Sequence, residues 1–387
     1  MKSNKKTIVI ISPSKKYLGG IYHYAIKTAL ELKKFCNVKV ISFKKQYPKF
    51  LYPGNQNKEN LSVLKIEDEY AILKWYDYFS WKNAIKIVKN HANLIYIPYW
   101  TIILAIPLLF LAKTSKKHGI KVIIEFHNLF EHEAGKIKKI LSSLIINRIV
   151  KYSDLCIVHT KENSEKLKNL VKHDVNAITL PLGPLNDFKH LENPNEIYDL
   201  YGLDKKKKYI LMFGVVRKYK GLEYAIKAMK FLNKTDYTDY QLLVVGEIWI
   251  NLRKEKGLIY KYGLEDKIIF INKFIPDGHI LPFFKIAEII IYPYSSATQS
   301  GSLNFALSAT KPIIATTAGG FKEILKDQVN GLLIPPKDPL KLANAILKLI
   351  ENQELAKKIA ESGYVYFQNN SSWNTIIEKM LNAIKII

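Results

Sequence analysis

Short apolar runs alternate with amphipathic helical patterns along this chain from one end to the other. Such alternation is typical of parallel β-sheets whose faces are covered by helices, so it predicts an α/β fold. The predicted strands are 7–11, 38–43, 94–98, 122–126 and 155–159, with 176–182 closing the first half, and then 209–214, 241–245, 268–271, 289–292 and 312–316. The predicted helices include 70–89, 102–117 and 134–151.

The best domain boundary lies at 183–208, where Gly, Pro and Asn precede a run of lysines. A chain of 387 residues is long enough for two domains. The predicted division is an N-terminal domain at 1–185, a linker at 186–208 and a C-terminal domain at 209–370. The last helix, 371–387, can pack back on the first domain.

The net charge of +25 is uneven, with +18 on residues 1–185 and +7 on residues 186–387. A basic half predicts an acidic partner, which is nucleic acid, anionic lipid or a phosphorylated substrate. The sequence contains no zinc-finger or RNP motif, so lipid or phosphate is preferred and nucleic acid is not expected. Two cysteines, Cys36 and Cys156, favour a reducing compartment. We expect a cytoplasmic protein, peripheral on the inner face of the plasma membrane.

The helix predicted at 134–151 combines apolar and cationic side chains. Its predicted apolar face is Ile137, Ile140, Leu141, Leu144, Ile145 and Ile149, and its bordering cations are Lys136, Lys138, Lys139, Arg148 and Lys151. Such a helix either packs on a sheet or lies on anionic lipid, and the pattern leaves both open.

The stretch 209–230 carries the clearest chemistry. A buried strand ends at Gly214, a helix begins after Gly221, and Arg217 and Lys220 lie between them. Free N–H groups and the dipole of a helix N-terminus favour an anion, and two cations beside it suit a diphosphate. A plain surface loop in a lysine-rich protein is the alternative.

Earlier in the chain, Gly19 and Gly20 follow the first strand, where glycine lets the backbone approach a ligand closely.

These motifs resemble, in order, those of family 4 of the glycosyltransferases. The matching segments are Gly19-Gly20, Phe126-His127-Asn128, Val158-His159-Thr160, Gly214-x-x-Arg217-x-x-Lys220-Gly221, Val245-Gly246-Glu247, 272–277, 312–324 and 330–336. The resemblance covers nearly the whole chain. It implies the GT-B fold, in which two Rossmann-like domains face a central cleft. It also implies a retaining transfer from a nucleotide-diphospho-sugar, bound mainly by the C-terminal domain, to an acceptor bound mainly by the N-terminal domain.

The resemblance also implies the site residues. The catalytic set is His127, Arg217 and Lys220. The donor-binding set is Gly19, Gly20, Gly214, Glu247, Phe274, Ile275, Thr298, Gln299, Ser300, Gly301, Ser302 and Glu323. The acceptor set is Asn128, Glu131 and His132, and His159 is a structural candidate. Neither a metal nor a cofactor is expected, because the cations and helix N-termini would stabilise the departing diphosphate.

One departure from the family pattern concerns its Glu-x7-Glu pair. The two positions are held by Ala297 and Phe305 in one register and by Thr298 and Ala306 in the other, within the "ATQSG" segment.

The functional hypothesis that the resemblance implies is a transferase that builds a bacterial surface polysaccharide on a glycan or lipid-linked acceptor. The alternatives are a GT-B nucleotide-sugar epimerase and a non-catalytic GT-B subunit that binds a partner transferase.

Overall fold

The computed structural model describes residues 5–17, 19–48, 66–130, 135–185, 191, 193–297 and 300–385. The chain forms two compact units. The first comprises Met1–Gly183 together with Ser372–Ile387, and the second comprises Pro184–Ser371.

The first unit is built on a seven-stranded parallel sheet of order β3-β2-β1-β4-β5-β6-β7. Its strands are β1 (Thr7–Ser12), β2 (Asn37–Lys45), β3 (Glu69–Lys74), β4 (Leu94–Tyr99), β5 (Lys121–Phe126), β6 (Leu155–Val158) and β7 (Ala177–Thr179). Its helices are α1 (Gly20–Leu32), α2 (Tyr78–His91), α3 (Ala105–Lys117), α4 (Lys136–Val150) and α5 (Lys161–Leu170). The central strands are almost wholly buried, as expected when helices cover both faces of a parallel sheet.

The prediction of one helix over 70–89 is wrong. The segment begins as the edge strand β3, and α2 starts only at Tyr78. The boundary is set by Asp77, whose carboxylate accepts hydrogen bonds from the backbone N–H groups of Phe79 and Ser80 and so caps the helix. The predicted linker also contains a helix, α6 (Glu196–Tyr201), which ends at Gly202 in the left-handed conformation.

Helix α4 forms, but its predicted single apolar face is wrong. Ile146, Ile149 and Val150 are buried in the core of the first unit. The stripe Ile137, Ile140, Leu141 and Leu144 is exposed and lies on the opposite side of the helix. The helix therefore packs on the sheet through one apolar stripe and presents another to solvent.

The second unit is built on a six-stranded parallel sheet of order β10-β9-β8-β11-β12-β13. Its strands are β8 (Lys208–Phe213), β9 (Tyr240–Val245), β10 (Ile268–Ile271), β11 (Ala287–Tyr292), β12 (Ile313–Thr316) and β13 (Leu332–Ile334). The helices after α6 are α7 (Leu222–Leu232), α8 (Arg253–Tyr262), α9 (Asp277–Ile286), α10 (Ser302–Ser308), α11 (Phe321–Ile324), α12 (Pro339–Glu351) and α13 (Gln353–Asn370). The predicted alternation of strands and helices is confirmed in both units.

The last helix, α14 (Trp373–Ile384), belongs to the first unit. Its apolar side is buried, and the Lys121 ammonium donates to the carbonyl of Ile384 at 2.6 Å. The Trp373 ring lies so close to Gly183 that a Cβ at position 183 would overlap it. Among the described residues, no helix is both long and apolar enough to span a bilayer.

Candidate functional site

The carboxyl edge of the second sheet gathers most of the predicted donor residues. Its strands are all parallel, so the loops that follow β8, β9, β10, β11 and β12 emerge at one edge. The strand order reverses at β8, which pairs with β9 on one side and β11 on the other. Open parallel sheets bind ligands at such a switch point.

The loop after β8 holds a buried cation. Gly214 has φ +101°, and a Cβ there would lie 2.7 Å from the Lys220 ammonium nitrogen. That nitrogen donates to the carbonyl of Phe213 at 3.2 Å, and the lysine is only 8% exposed. Burial lowers the pKa of Lys220, and the nearby charge of Arg217 lowers it further. Within the described ranges, no carboxylate forms an ion pair with either cation.

Arg217 is exposed, unlike Lys220. Its guanidinium lies 4.7 Å from the centre of the Trp249 ring, a cation–π arrangement that fixes a flat cation at the rim of the loop. The loops after β8 and β9 are joined there, because the backbone N–H of Trp249 donates to the Val216 carbonyl at 2.9 Å. Val216 in turn donates its N–H to the carbonyl of Glu247, which places the predicted donor residue Glu247 beside this loop.

The loop after β11 closes the other side of the lysine. The Lys220 ammonium lies 5.3 Å from the Tyr294 ring, and the Ser295 N–H donates to the Tyr219 carbonyl at 2.7 Å. Ser300 and Ser302 follow, with their hydroxyl oxygens 2.9 Å apart, around Gly301 at the start of α10. Burial raises the pKa of the Tyr294 phenol, while the Ser300 and Ser302 hydroxyls act in the opposite direction. The loop thus places the Ser300 and Ser302 hydroxyls beside the Tyr294 phenol, whose ring lies next to the Lys220 ammonium.

Two further loops reach the same edge. Phe274 is half-buried and Ile275 is buried in the loop after β10. Glu323 lies half-buried in α11, after β12. Before it, Gly319 has φ +56°, and a Cβ there would overlap the carbonyl oxygen of Ala297. Thr298 and Gln299 lie outside the described residues.

The first unit carries a separate buried polar cluster at the ends of β5 and β6. The Glu125 carboxylate is 1% exposed and lies 3.0 Å from His127 Nε2 and 3.5 Å from His159 Nε2. Burial alone would raise the pKa of Glu125, but the neighbouring groups, His127 foremost, outweigh burial and lower the pKa. Tyr24 stands edge-on to both imidazole rings, at 5.3 and 5.8 Å between centres.

His159 is held in one orientation. Its Nδ1 lies 3.0 Å from the Leu180 carbonyl oxygen, which can only accept, so Nδ1 carries the proton. Burial lowers the pKa of His159 to about 4, although the neighbouring Glu125 carboxylate acts in the opposite direction. The imidazole is therefore neutral at pH 7, with the lone pair of Nε2 directed to the Glu125 side. This supports the structural role expected for His159 in the sequence analysis.

The same three side chains have the donor types of a divalent-metal site. Their ligand atoms lie within 4.8 Å of one another, and they are the one such group in the described part of the chain. A backbone carbonyl that fixes the second nitrogen of a histidine is also common among metal ligands. The cluster can act as a buried polar network or as a cation site, and a metal measurement separates the two.

The remaining first-unit predictions fall near this cluster or outside the described residues. Gly19 is extended and Gly20 begins α1. A Cβ at Gly19 would make only an ordinary contact with the Tyr17 carbonyl oxygen, at 4.0 Å, and a Cβ at Gly20 would meet open space, so the fold itself does not require glycine at these positions. Asn128 is half-buried, directly after His127. Glu131 and His132 lie outside the described residues.

Several residues of these two sites were missed from sequence. Glu125 lies inside the apolar run of β5, where the pattern predicts only a core position. Tyr24 lies among the apolar residues of α1 and gives no sign of a polar contact. Trp249 and Tyr294 follow strands as ordinary aromatic residues. The one available signal was a carboxylate two residues before a strand-end histidine, on the same face of the strand.

Comparison with known proteins agrees with this geometry. Residues 195–366 match the family model described as glycosyl transferases group 1. The matched segment lies inside the second unit and includes the loops after β8, β11 and β12. An alpha-D-kanosaminyltransferase of Streptomyces kanamyceticus is 26% identical over 167 residues, 43% of this chain and 45% of that protein. The chain spans about half the length of the first curated relatives that it matches.

Solved structures match over the full chain. Sucrose-phosphate synthase from Thermosynechococcus elongatus superposes with a TM-score of 0.75 at 18% identity, covering 98% of each chain. Anabaena HepE in complex with UDP-glucose gives a TM-score of 0.76 at 16% identity, covering 98% of this chain and 100% of that one. The predicted GT-B fold of two Rossmann-like domains is thereby confirmed.

Proposed function

We propose that this protein is a glycosyltransferase of family 4 that uses a nucleotide-diphospho-sugar as its donor. The observation that carries the proposal is the pair Arg217 and Lys220 at the switch point of the second sheet. Burying an ammonium without a carboxylate partner costs free energy, and Lys220 is buried with no such partner among the residues that the structure describes. A bound diphosphate would supply the missing negative charge and return the pKa of Lys220 toward its ordinary value.

The donor class is supported by the comparisons. The HepE structure that shares this fold holds UDP-glucose, and the curated relative transfers a kanosaminyl group. In this chain, Arg217 at the loop rim and Lys220 beneath it would bind the two phosphates, and the Ser300 and Ser302 hydroxyls would extend the site.

The proposed reaction transfers the sugar with retention and without a metal. Charge develops on the diphosphate as the glycosidic bond breaks, so preformed cations there stabilise the transition state more than the ground state. In the first unit, His127 would contact the donor sugar, with its ring oriented by Glu125. We propose a glycan or lipid-linked acceptor bound by the first unit near Asn128, in the synthesis of a bacterial surface polysaccharide at the inner face of the plasma membrane.

The experiment is a screen of nucleotide sugars, read by thermal stabilisation and by release of the nucleotide. With the donor that stabilises the protein, Arg217→Ala and Lys220→Ala should each lower the rate on the order of 10²-fold, as for other lost charge contacts to a transition state. The matched control is Lys218→Ala, an exposed lysine on the same turn between the two. Near-normal rates for both site variants would contradict the assignment.

A second candidate is a non-catalytic subunit that partners a transferase. This candidate is favoured because neither of the two positions at which the family carries a glutamate holds an acid in this chain. Phe305 is 5% exposed and stacks on Phe284 at 5.9 Å, and Ala306 is wholly buried, so apolar core replaces the second acid in either register. Turnover of any nucleotide sugar by the purified chain excludes this candidate. Release of an epimerised sugar instead would identify an epimerase.

A further inference from the structure

Helices α2, α3 and α4 form one continuous layer on the first unit. Helix α3 packs against both α2 and α4, and the three helices connect β3 to β4, β4 to β5 and β5 to β6. Because these strands are parallel, each helix leaves from the carboxyl edge of the sheet and runs back toward the amino edge. The N-terminal ends of all three helices therefore lie at the carboxyl edge. We call this layer the α2–α4 face.

The helices of the α2–α4 face carry charge of one sign, although Asp77 caps the start of α2 and Asp154 pairs with Lys116 on α3. The three helices contain ten lysine or arginine residues and no aspartate or glutamate. The other two helices that follow strands in this unit differ, because α1 contains Glu31 and α5 contains Glu162 and Glu165. Compositional bias toward lysine would raise the cations everywhere, but it does not remove every acid from three successive helices.

Large apolar side chains stand exposed on the same face. Phe79 on α2 is 74% exposed, Ile106 on α3 is 66% exposed and Ile137 on α4 is 78% exposed. Each lies in the first turn of its helix, so the apolar groups concentrate toward the carboxyl edge. On α4 the stripe continues through Leu141 and Leu144 and ends in the exposed cations Arg148 and Lys151.

We propose that the α2–α4 face docks on an anionic lipid bilayer. Its exposed apolar side chains would enter the boundary between headgroups and acyl chains, while its cations contact lipid phosphates. This combination of one apolar stripe and flanking cations is the signature of helices that lie in a membrane interface. A nucleic-acid surface would need the cations but would gain nothing from exposed isoleucine and leucine.

The docking direction fits the proposed function, on which this step rests. His127 and His159 follow β5 and β6 at the carboxyl edge, the same edge that carries the exposed apolar residues. Docking would bring that edge to the depth of lipid phosphates, where a lipid-linked acceptor presents its reactive end. The binding itself needs no donor or acceptor, so it is measured independently of sugar transfer.

The first test separates apolar insertion from simple charge attraction. Leu141 on α4 and Leu340 on α12 are each 50% exposed, so Leu141→Glu and Leu340→Glu are matched changes on different units. Cosedimentation with vesicles of phosphatidylcholine and phosphatidylglycerol should weaken on the order of tenfold for Leu141→Glu, from lost apolar burial and added repulsion, and hardly at all for Leu340→Glu. Equal losses in the two variants would overturn the proposal.

The second test concerns the cations. Arg148→Glu with Lys151→Glu should weaken vesicle binding at least tenfold, against a control of Lys357→Glu with Lys358→Glu on α13. Wild-type binding should fall as salt rises, because exposed charges are screened. Hydrolysis of the donor should be unchanged in every variant, so a failure of docking is distinguishable from a failure of the enzyme assignment.

Two results would refute membrane docking outright. One is wild-type protein that ignores the anionic vesicles at low salt. The other is binding that depends on Arg148 and Lys151 but is indifferent to Leu141→Glu, which would mark the face as a polyanion site, to be tested with duplex DNA.

Discussion

Buried His159 should make the stability of the first unit depend on pH. Its pKa is about 4 in the folded protein and 6.5 in the unfolded chain. Between these values the unfolded chain binds a proton that the folded state does not bind. The stabilisation is therefore complete above about pH 6.5 and is lost as the pH falls toward 4.

The magnitude follows from the two pKa values. Over the whole window the difference corresponds to about 3 kcal/mol, and between about pH 7.5 and about pH 5 it removes about 2 kcal/mol of the free energy of unfolding. Glu125 does not contribute to this interval, because its pKa lies below its ordinary 4.5 and its own stabilisation is lost only at lower pH. The predicted loss of about 2 kcal/mol is therefore the contribution of the His159 imidazole.

The assay is urea unfolding followed by tryptophan fluorescence at several pH values. Four of the five tryptophans lie in the first unit, so the signal reports mainly on it: Trp75, Trp81, Trp100 and Trp373. His159→Asn keeps an N–H that can donate to Leu180 but cannot be protonated. This variant should lose about 2 kcal/mol less than wild type across the interval, whatever its stability at pH 7.5.

The matched control is His173→Asn, which removes an exposed imidazole of the same unit. Its pH dependence should follow that of wild type. A wild-type slope in His159→Asn would contradict this prediction, since the buried imidazole would then not be the group that titrates.

Three further outcomes are expected. Lys220→Met should keep or raise the urea midpoint of the second unit, because an apolar side chain replaces a buried ammonium that has no carboxylate partner among the described residues. Donor turnover should fall on the order of 10²-fold in the same variant, and lost stability with normal turnover would contradict the prediction. Gly319→Ala should destabilise the second unit by about 2 kcal/mol or more, since φ is +56° and the Ala297 carbonyl occupies the space that a Cβ would need. Calorimetry should show a much smaller loss for the control Gly301→Ala, where a Cβ meets open space. Donor turnover should survive EDTA with no metal detected by elemental analysis. Loss of activity that a divalent ion restores would contradict metal-independent transfer, and Glu125, His127 and His159 would then be the first candidate ligands to substitute.

Much of the fold could be predicted from the sequence because the signal is local. Buried strands such as β5 and β8 are continuous apolar runs, which only a doubly covered sheet can accommodate. The edge strand β3 was missed because it is half-exposed, and an aromatic helix follows it closely. The alternation within β3 predicts a strand only weakly, whereas the residues that follow it have a clear helical pattern.

Local pattern could not decide which side of a helix is covered. In α4 the sequence offers two apolar stripes, one with Ile137 and Leu141 and another with Ile146 and Val150. Both satisfy helical spacing, so periodicity alone cannot rank them. The neighbouring sheet buries the second and leaves the first exposed, and this choice creates the α2–α4 face.

By itself, then, the sequence determined the strand and helix alternation and the cationic loop after β8, since each depends on residues adjacent in the chain. Only the tertiary structure decided that Lys220 is buried under Tyr294, and that Glu125 meets His159 from the neighbouring strand. The physical reason is that burial and electrostatic partners come from segments distant in sequence. The free-energy cost of a buried charge, and hence the ligand it favours, is set only when those segments pack together.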